Sequence, residues 1–227
     1  MKNTKTLNTT TEKLMNSICK NHTGKMSGMW SVSTSALLNP ECVKRSEHAG
    51  TVCHKCYAIR MLKAYKGLRE KSAYNTALWA ETLYSPAYMP EIKNSMFRFE
   101  AFGDLINDIQ AENYMTLCEK NPGVKFALWT KKPYVLWDAL KKRDFKKPRN
   151  LVVIFSSPMV NACSDNVTKL YIMPDGKPML DKVFTVYSKE YLAKNPGVKI
   201  NCGARNCKAC GRCYTKRTGK IINELLK

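Results

Sequence analysis

The strongest chemical signal in the sequence is a run of four closely spaced cysteines near its C-terminal end. This terminal cysteine set comprises Cys202, Cys207, Cys210 and Cys213, separated by four, two and two residues. Because bridged cysteines need Cα atoms about 5.5 Å apart, two unstrained disulfides between such neighbours are disfavoured. Four thiolates at this spacing suit one metal centre instead, either an iron–sulfur cluster or a structural zinc. The spacing predicts a metal site, with iron–sulfur favoured and zinc as the alternative.

A second group of cysteines lies in the first quarter of the chain. This first cysteine set comprises Cys42, Cys53 and Cys56, with ten residues in the first gap and two in the second. Three thiolates do not close a tetrahedral site, so either another side chain completes it or one iron of a [4Fe–4S] cluster stays open to a substrate or cofactor. The candidates for a fourth protein ligand are His48, His54, Cys19 and Cys163. A zinc site closed by a histidine is the alternative.

The composition indicates an intracellular globular protein. The chain has 227 residues, 44% of them hydrophobic, and its ten cysteines are bunched, which favours metal binding in a reducing cytoplasm over a disulfide scaffold. No apolar stretch is long enough to cross a membrane. Residues 1–11 are polar and lack the apolar centre of a signal peptide, so we expect a mobile tail there. The expected location is the cytoplasm, or the host cytoplasm if a phage encodes the protein.

The net charge of +20 is the main indication of a partner, with 38 Lys and Arg against 18 Asp and Glu. A surface this basic usually binds a polyanion, so a nucleic acid or a nucleotide is the candidate partner. The alternative is that the charge reflects only a lysine-rich host proteome. The oligomeric state cannot be inferred from this sequence.

The hydrophobic pattern predicts an α/β protein. A short helix is expected at 11–20, a first strand at 29–34 and a long helix at 58–83. Strands and helices then alternate: strands are predicted at 96–102, 124–130, 151–155, 182–187 and 198–201, and helices at 105–119, 133–142, 189–194 and 221–226. This alternation favours a parallel sheet with right-handed crossovers. We predict a tail and short helix at 1–23 and one α/β domain at 24–227, with a metal loop at 201–214.

Active residues of such folds collect at the carboxyl ends of the strands. The residues expected at these ends are the two cysteine sets, Glu100, Gly103, Asp104, the run 130–132 and the serine pair 156–157. Glu100 and Asp104 are the candidate catalytic residues. The structural alternatives are that Asp104 caps the next helix and that Glu100 pairs with Arg98 or a lysine. Lys131, Lys132 and the basic helix at 58–83 are candidates for phosphate contacts.

Several motifs in order resemble the bacteriophage gene 88 protein family. They are Cys-His-Lys-Cys-Tyr-Ala at 53–58, Arg-Phe-Glu-Ala-Phe-Gly-Asp at 98–104, Trp-Thr-Lys at 129–131 and the terminal cysteine set. The resemblance covers residues 24–215. That family in turn resembles, distantly, the radical S-adenosylmethionine (SAM) enzymes, which implies a partial (βα)6 barrel or an open parallel sheet.

The resemblance also implies ligands. Cys42, Cys53 and Cys56 would hold a [4Fe–4S] cluster with one open iron, to which SAM binds, and the terminal cysteine set would hold an auxiliary cluster. Gly103 and Asp104 would contact the SAM amino group, where radical enzymes carry Gly-Gly-Glu. The ten-residue first gap, in place of three, and the shortened Gly-Asp motif depart from that pattern.

Two functions are therefore expected. The first is an iron–sulfur enzyme with a radical-SAM-like fold that modifies a nucleotide or a nucleic acid. The alternative is a non-catalytic iron–sulfur or zinc protein that binds nucleic acid or a host protein, in which the metal serves only to fold two loops. The sequence carries no Walker loop, no dinucleotide fingerprint and no hydrolase triad pattern.

Overall fold

The centre of the protein is one open sheet whose strand order in space follows the order in sequence. The computed structural model describes residues 2–54, 56–216 and 220–226, and side chains from residue 7 onward. The seven strands are β1 Cys19–Lys20, β2 Trp30–Val32, β3 Met96–Phe99, β4 Lys125–Thr130, β5 Leu151–Ser156, β6 Lys182–Tyr187 and β7 Ile221–Leu225. Only the β1–β2 pair is antiparallel. The predicted parallel α/β sheet is confirmed, whereas a closed or partial barrel is not.

Eight helices accompany the sheet in the described part of the chain. They are α1 Lys2–Ser17, α2 Pro40–Ser46, α3 Tyr57–Ala64, α4 Lys66–Ala80, α5 Asp108–Lys120, α6 Pro133–Lys141, α7 Lys189–Lys194 and α8 Cys207–Cys210. None of the helices in these ranges combines the length and apolarity that a membrane span requires.

The two faces of the sheet have different cover because side chains alternate along each strand. Phe97 and Phe99 of β3 point into the main core, where the Phe99 ring stacks on Tyr114 of α5 with centroids 4.2 Å apart. Arg98 lies between them in sequence and faces the opposite side. On that opposite side the terminal cysteine set packs against the sheet.

The long helix expected at 58–83 is divided in two. Tyr65 has an extended backbone with φ −113° and ψ 106°, which ends α3 and begins α4. Because of this break, the two helices pack into different hydrophobic clusters. Leu62 of α3 packs in a small cluster beside the first cysteine set, whereas Trp79 of α4 is buried in the main core.

The expectations for the C-terminal end are wrong. Residues 221–226 were expected to form a helix, but Ile221–Leu225 forms strand β7, parallel to β6. The segment 198–201, expected to be a strand, is not one, and the next residue, Cys202, makes an isolated bridge to Glu224. The reason is tertiary: Ile222 is fully buried against Val152 and Ile154, so a β-branched segment too short for a stable helix pairs with the sheet edge instead.

At the N-terminal end the first helix begins earlier than expected, at Lys2, and ends at Ser17. Cys19 and Lys20, expected in that helix, form β1 beside β2. Elsewhere the predicted bounds agree closely with the structure, and the strand at 182–187 and the helix at 189–194 match β6 and α7 residue for residue.

Candidate functional site

A cavity of about 510 Å³ lies on the face of the sheet opposite the main core, at the carboxyl ends of the strands. All seven cysteines of the two predicted sets line it, although they come from distant parts of the chain. The predicted strand-end residues Glu100, Gly103, Asp104, Lys131 and Ser156 line it too. The structure therefore brings together most of the residues that the sequence singled out.

The first cysteine set follows β2. Cys42 lies on α2, while Cys53 and Cys56 lie in the turn before α3. The side-chain amide of Asn39, just before α2, donates to the carbonyl oxygens of Asp104 and Leu105 at 3.1 and 3.0 Å. These bonds fix α2 against the loop that follows β3.

The environment of the first set disfavours thiolates. Burial raises the pKa of the Cys42 thiol to about 12, and the charge of Asp104 adds to this. Burial also raises the pKa of Cys53, an effect that Lys131 opposes. Because thiolates rather than thiols bind metals, metal binding here would displace protons and depend on pH.

The terminal cysteine set is built on α8 and the turn after it. Asn206 caps this short helix by accepting a hydrogen bond from the Ala209 amide at 2.9 Å. Gly211 then adopts a left-handed conformation, φ 62°, that turns the chain toward Cys213. Burial raises the pKa of Cys213 to about 12, and the nearby Cys202 adds to this.

The metal assignments stay predictions. All ten cysteines are free thiols, so the donor chemistry of both sets fits a thiophilic metal. Within the described ranges, however, no three His, Cys, Asp or Glu side chains are gathered closely enough to hold an ion. The four candidates for a fourth ligand do not line the cavity: they are His48, His54, Cys19 and Cys163. Cys118 is fully buried in the main core.

Glu100 is buried at the end of β3 in a left-handed conformation, φ 52°. Its Oε1 accepts hydrogen bonds from the Tyr114 hydroxyl at 2.5 Å and the Gln110 amide at 2.6 Å. Burial raises the pKa of Glu100 to about 8, although the bond from Tyr114 opposes the rise. Glu100 thus lacks the expected Arg98 or lysine partner. Gly103 lets the carboxyl approach, since a Cβ there would contact it and lie 2.7 Å from the Thr34 carbonyl oxygen.

Asp104 links the ends of β3 and β4. Its Oδ1 accepts hydrogen bonds from the Thr130 hydroxyl at 2.6 Å and the Leu105 amide at 2.8 Å, and its Oδ2 accepts one from the Lys131 amide at 3.0 Å. The alternative that Asp104 caps the next helix is wrong, because Asn107 caps α5.

The predicted phosphate contacts are only partly available. Lys131 lines the cavity, but Lys132 is buried and its ammonium donates to the Ile106 carbonyl oxygen at 3.0 Å. Burial lowers the pKa of Lys132. In the basic helical region, Lys71 donates to the Asn16 carbonyl oxygen at 2.7 Å, so part of that charge serves packing.

Arg98 and Tyr214 are among the cavity residues that sequence reasoning missed. The Arg98 guanidinium carbon lies 3.9 Å from the centre of the Trp129 ring, and Tyr214 contacts the same ring edge-on with centroids 6.3 Å apart. The one available signal was an arginine between two phenylalanines of a buried strand. Nothing in the sequence marked Tyr214.

The fold and the site define a parallel α/β protein with a cysteine-lined cavity at the strand ends. The chain belongs to the gene product 88 family, whose sequence model matches residues 2–216. This confirms the resemblance to the phage gene 88 proteins. No curated protein and no solved structure matches the chain, and a relationship to radical SAM enzymes has no support from these comparisons.

Proposed function

We propose that the protein is an iron–sulfur protein with a radical-SAM-like fold that modifies a nucleotide or a nucleic acid. The observation that carries the proposal is the convergence of two cysteine sets, from opposite ends of the domain, on one cavity. The sequential, mostly parallel strand order is compatible with it. Two cysteine sets that line one cavity can act on the same bound molecule.

In this proposal the first cysteine set holds a [4Fe–4S] cluster that leaves one iron open, and the terminal cysteine set holds an auxiliary cluster. Such a cluster with bound SAM supplies one-electron chemistry. Iron binds thiolates, so Cys42 and Cys53 must lose their protons on binding, and the burial that raises the pKa of both thiols opposes that loss.

The acidic residues have separate tasks. Glu100, whose pKa burial raises to about 8, holds a proton near neutral pH and can release it into the cavity. Asp104 accepts three hydrogen bonds and its Oδ2 lies 3.9 Å from Arg45 Nη1, so it fixes the loops after β3 and β4. Contact between Asp104 or Gly103 and the SAM ammonium is the part of the proposal that rests on family resemblance.

The test is electron paramagnetic resonance of anaerobically purified, chemically reduced protein with and without SAM, together with iron, sulfide and zinc analysis. We expect a brown protein whose signal changes with SAM. Cys53→Ala should abolish the SAM-dependent change, whereas Cys163→Ala, at an exposed position outside the cavity, should keep it. A colourless protein with stoichiometric zinc that takes up no iron on reconstitution would overturn the iron–sulfur proposal.

The second candidate function is a non-catalytic metal protein that binds nucleic acid or a host protein. The net charge of +20 favours it. Its signature is DNA or RNA binding that weakens steeply between low and physiological salt, because neutralised phosphates release counterions. A cluster without any SAM effect, together with this salt dependence, would favour this candidate over the enzyme.

A further inference from the structure

Arg98 lies on the cavity face of β3, close enough to Cys213 for its charge to oppose the rise in the pKa of that thiol. Its guanidinium stacks on Trp129, and its Nη1 lies 4.0 Å from the Met26 sulfur. Its Nε is buried without a hydrogen-bond partner in the described part of the chain. None of the carboxylates described there forms an ion pair with it. Such a guanidinium is expected to recruit an anion.

Tyr214 is a second unsatisfied donor in the same cavity. Its side chain is 4% exposed, and its hydroxyl is buried without a hydrogen-bond partner among the described residues. Tyr214 and Arg98 both contact Trp129, so the two donors lie around one ring. Both residues line the cavity, so an anion bound there is the candidate partner for the two donors.

The acidic groups of the cavity are engaged elsewhere. Glu224 accepts a hydrogen bond from Lys25 at 2.9 Å, and Asp104 is held by backbone and hydroxyl donors. Glu100 is bonded to Tyr114 and Gln110. Asp104 and Glu224 are therefore engaged with local partners, and Glu100, which is protonated near neutral pH, offers Arg98 no charge. A bound anion is the counter-charge that we infer, and the alternative is the terminal cysteine set, because the charge of Arg98 also acts on Cys213.

The cavity also limits the size and the polarity of the rest of that ligand. Trp129, Phe184 and Ile222 give it an apolar wall, and a volume of about 510 Å³ suits a small molecule rather than a polymer segment. An arginine with a planar fork binds the two oxygens of a carboxylate or phosphate together.

We propose that Arg98 and Tyr214 bind the phosphate or carboxylate of a small-molecule substrate, whose planar body lies on the apolar wall of the cavity. This inference names the substrate class of the proposed function and rests on it. The two sources of the anionic group share the same recognition chemistry, so the experiment includes an arm for each.

The test is calorimetric titration of the full, anaerobically purified chain with two matched pairs of probes. Adenosine monophosphate against adenosine tests a phosphate, and benzoate against benzamide tests a carboxylate. In at least one pair the anion should bind more tightly. Arg98→Gln should weaken that anion ten- to hundredfold, the scale for hydrogen bonds to a charged group, and leave the neutral probe unchanged.

The control is Arg149→Gln, which removes the same charge from an exposed position outside the cavity. It should change binding less than twofold. Tyr214→Phe should weaken the anion about two- to tenfold, the scale for one neutral donor. If Arg98→Gln does not fold, Tyr214→Phe and Arg98→Lys test the inference in its place. Arg98→Lys keeps the positive charge but removes the planar guanidinium that binds two oxygens together.

Two outcomes would overturn the inference. One is a wild-type protein that prefers neither anion, and the other is a loss in the Arg98 variants no larger than in Arg149→Gln. A changed cluster reduction potential with unchanged anion binding would also overturn it and assign Arg98 to the metal centre. Metal analysis of the same samples separates the two failures, since iron present without anion preference leaves the proposed function standing.

Discussion

The two cysteine sets face one cavity but lie in opposite surroundings. Around the first set, Asp104 and Lys131 contribute charge, and Asn39 bonds the loop backbone. The terminal set lies on the sheet itself, where Cys213 packs against apolar side chains from three strands: Ala127, Val152, Ile154 and Ile222.

This contrast indicates a division of labour. The terminal cysteine set covers the second face of the sheet, so its loss should expose apolar surface and destabilise the fold. The first cysteine set lies beside the buried carboxyl groups, so its loss should affect chemistry more than folding. The predictions below test that division, from the largest expected change in stability to the smallest.

Cys213→Ser should cause the largest loss. If the terminal set binds a metal, the binding free energy is part of the folding free energy, so we expect a loss of more than about 4 kcal/mol and a fall in Tm of about 8–16 °C. Calorimetry with metal analysis measures both. The matched control is Cys163→Ser, which changes an exposed thiol. Equal Tm values for the two variants would contradict a structural role.

Asp104→Asn should have the next largest effect. The substitution replaces an acceptor oxygen with an amide group that faces backbone or hydroxyl donors, which costs about 1–3 kcal/mol. Urea unfolding at pH 7 measures this. Asp175→Asn, on the exposed surface, should change stability by less than about 0.5 kcal/mol. A similar small change for Asp104→Asn would mean that Asp104 does not hold the two loops together.

Glu100→Gln should change how stability depends on pH. Burial raises the folded-state pKa of Glu100 from 4.5 to about 8, so the folded protein binds more protons than the unfolded chain between these values. Stability contributed by this group is complete below about pH 4.5 and falls as pH rises to about 8. The variant has no proton to lose there. Urea unfolding from pH 5 to pH 8 should show a smaller decline for Glu100→Gln, and parallel curves would refute the raised pKa.

Cys53→Ser should have the smallest effect on stability but should abolish the response of the protein to SAM. A cluster on the first set would also contribute folding free energy, but the loop of Cys53 keeps the hydrogen bond from the Val52 amide to the Pro158 carbonyl oxygen at 2.8 Å, so we expect a smaller loss than for Cys213→Ser. The SAM-dependent spectral change should disappear. A loss as large as that of Cys213→Ser would remove the distinction between the two sets.

Local sequence patterns predicted much of the fold and many of the residues that form the site. Uninterrupted apolar runs and strong turn signals placed β4, β5 and β6 close to their observed bounds. The parallel arrangement then brought Glu100, Asp104 and both cysteine sets to one cavity, as the strand-end rule predicted. Element order was sufficient for this because parallel strands end at the same edge of the sheet.

Sequence reasoning failed where a partner distant in sequence decides the outcome. Ile221–Leu225 is a strand because β6 offers an edge and Ile222 fills a gap beside Val152. Asp104 links strand ends rather than capping a helix because Thr130 and Lys131 present donors to it.

The sequence by itself determined the chemistry that this protein has available: seven cysteines in two sets, a strong positive charge and an alternation of strands and helices. Only the tertiary structure decided how these parts combine. It gave the two sets different surroundings and left Arg98 Nε and the Tyr214 hydroxyl near Trp129 without hydrogen-bond partners among the described residues. The physical reason is that spacing fixes which side chains can act together locally, whereas burial and unpaired charge depend on what the rest of the chain places around them.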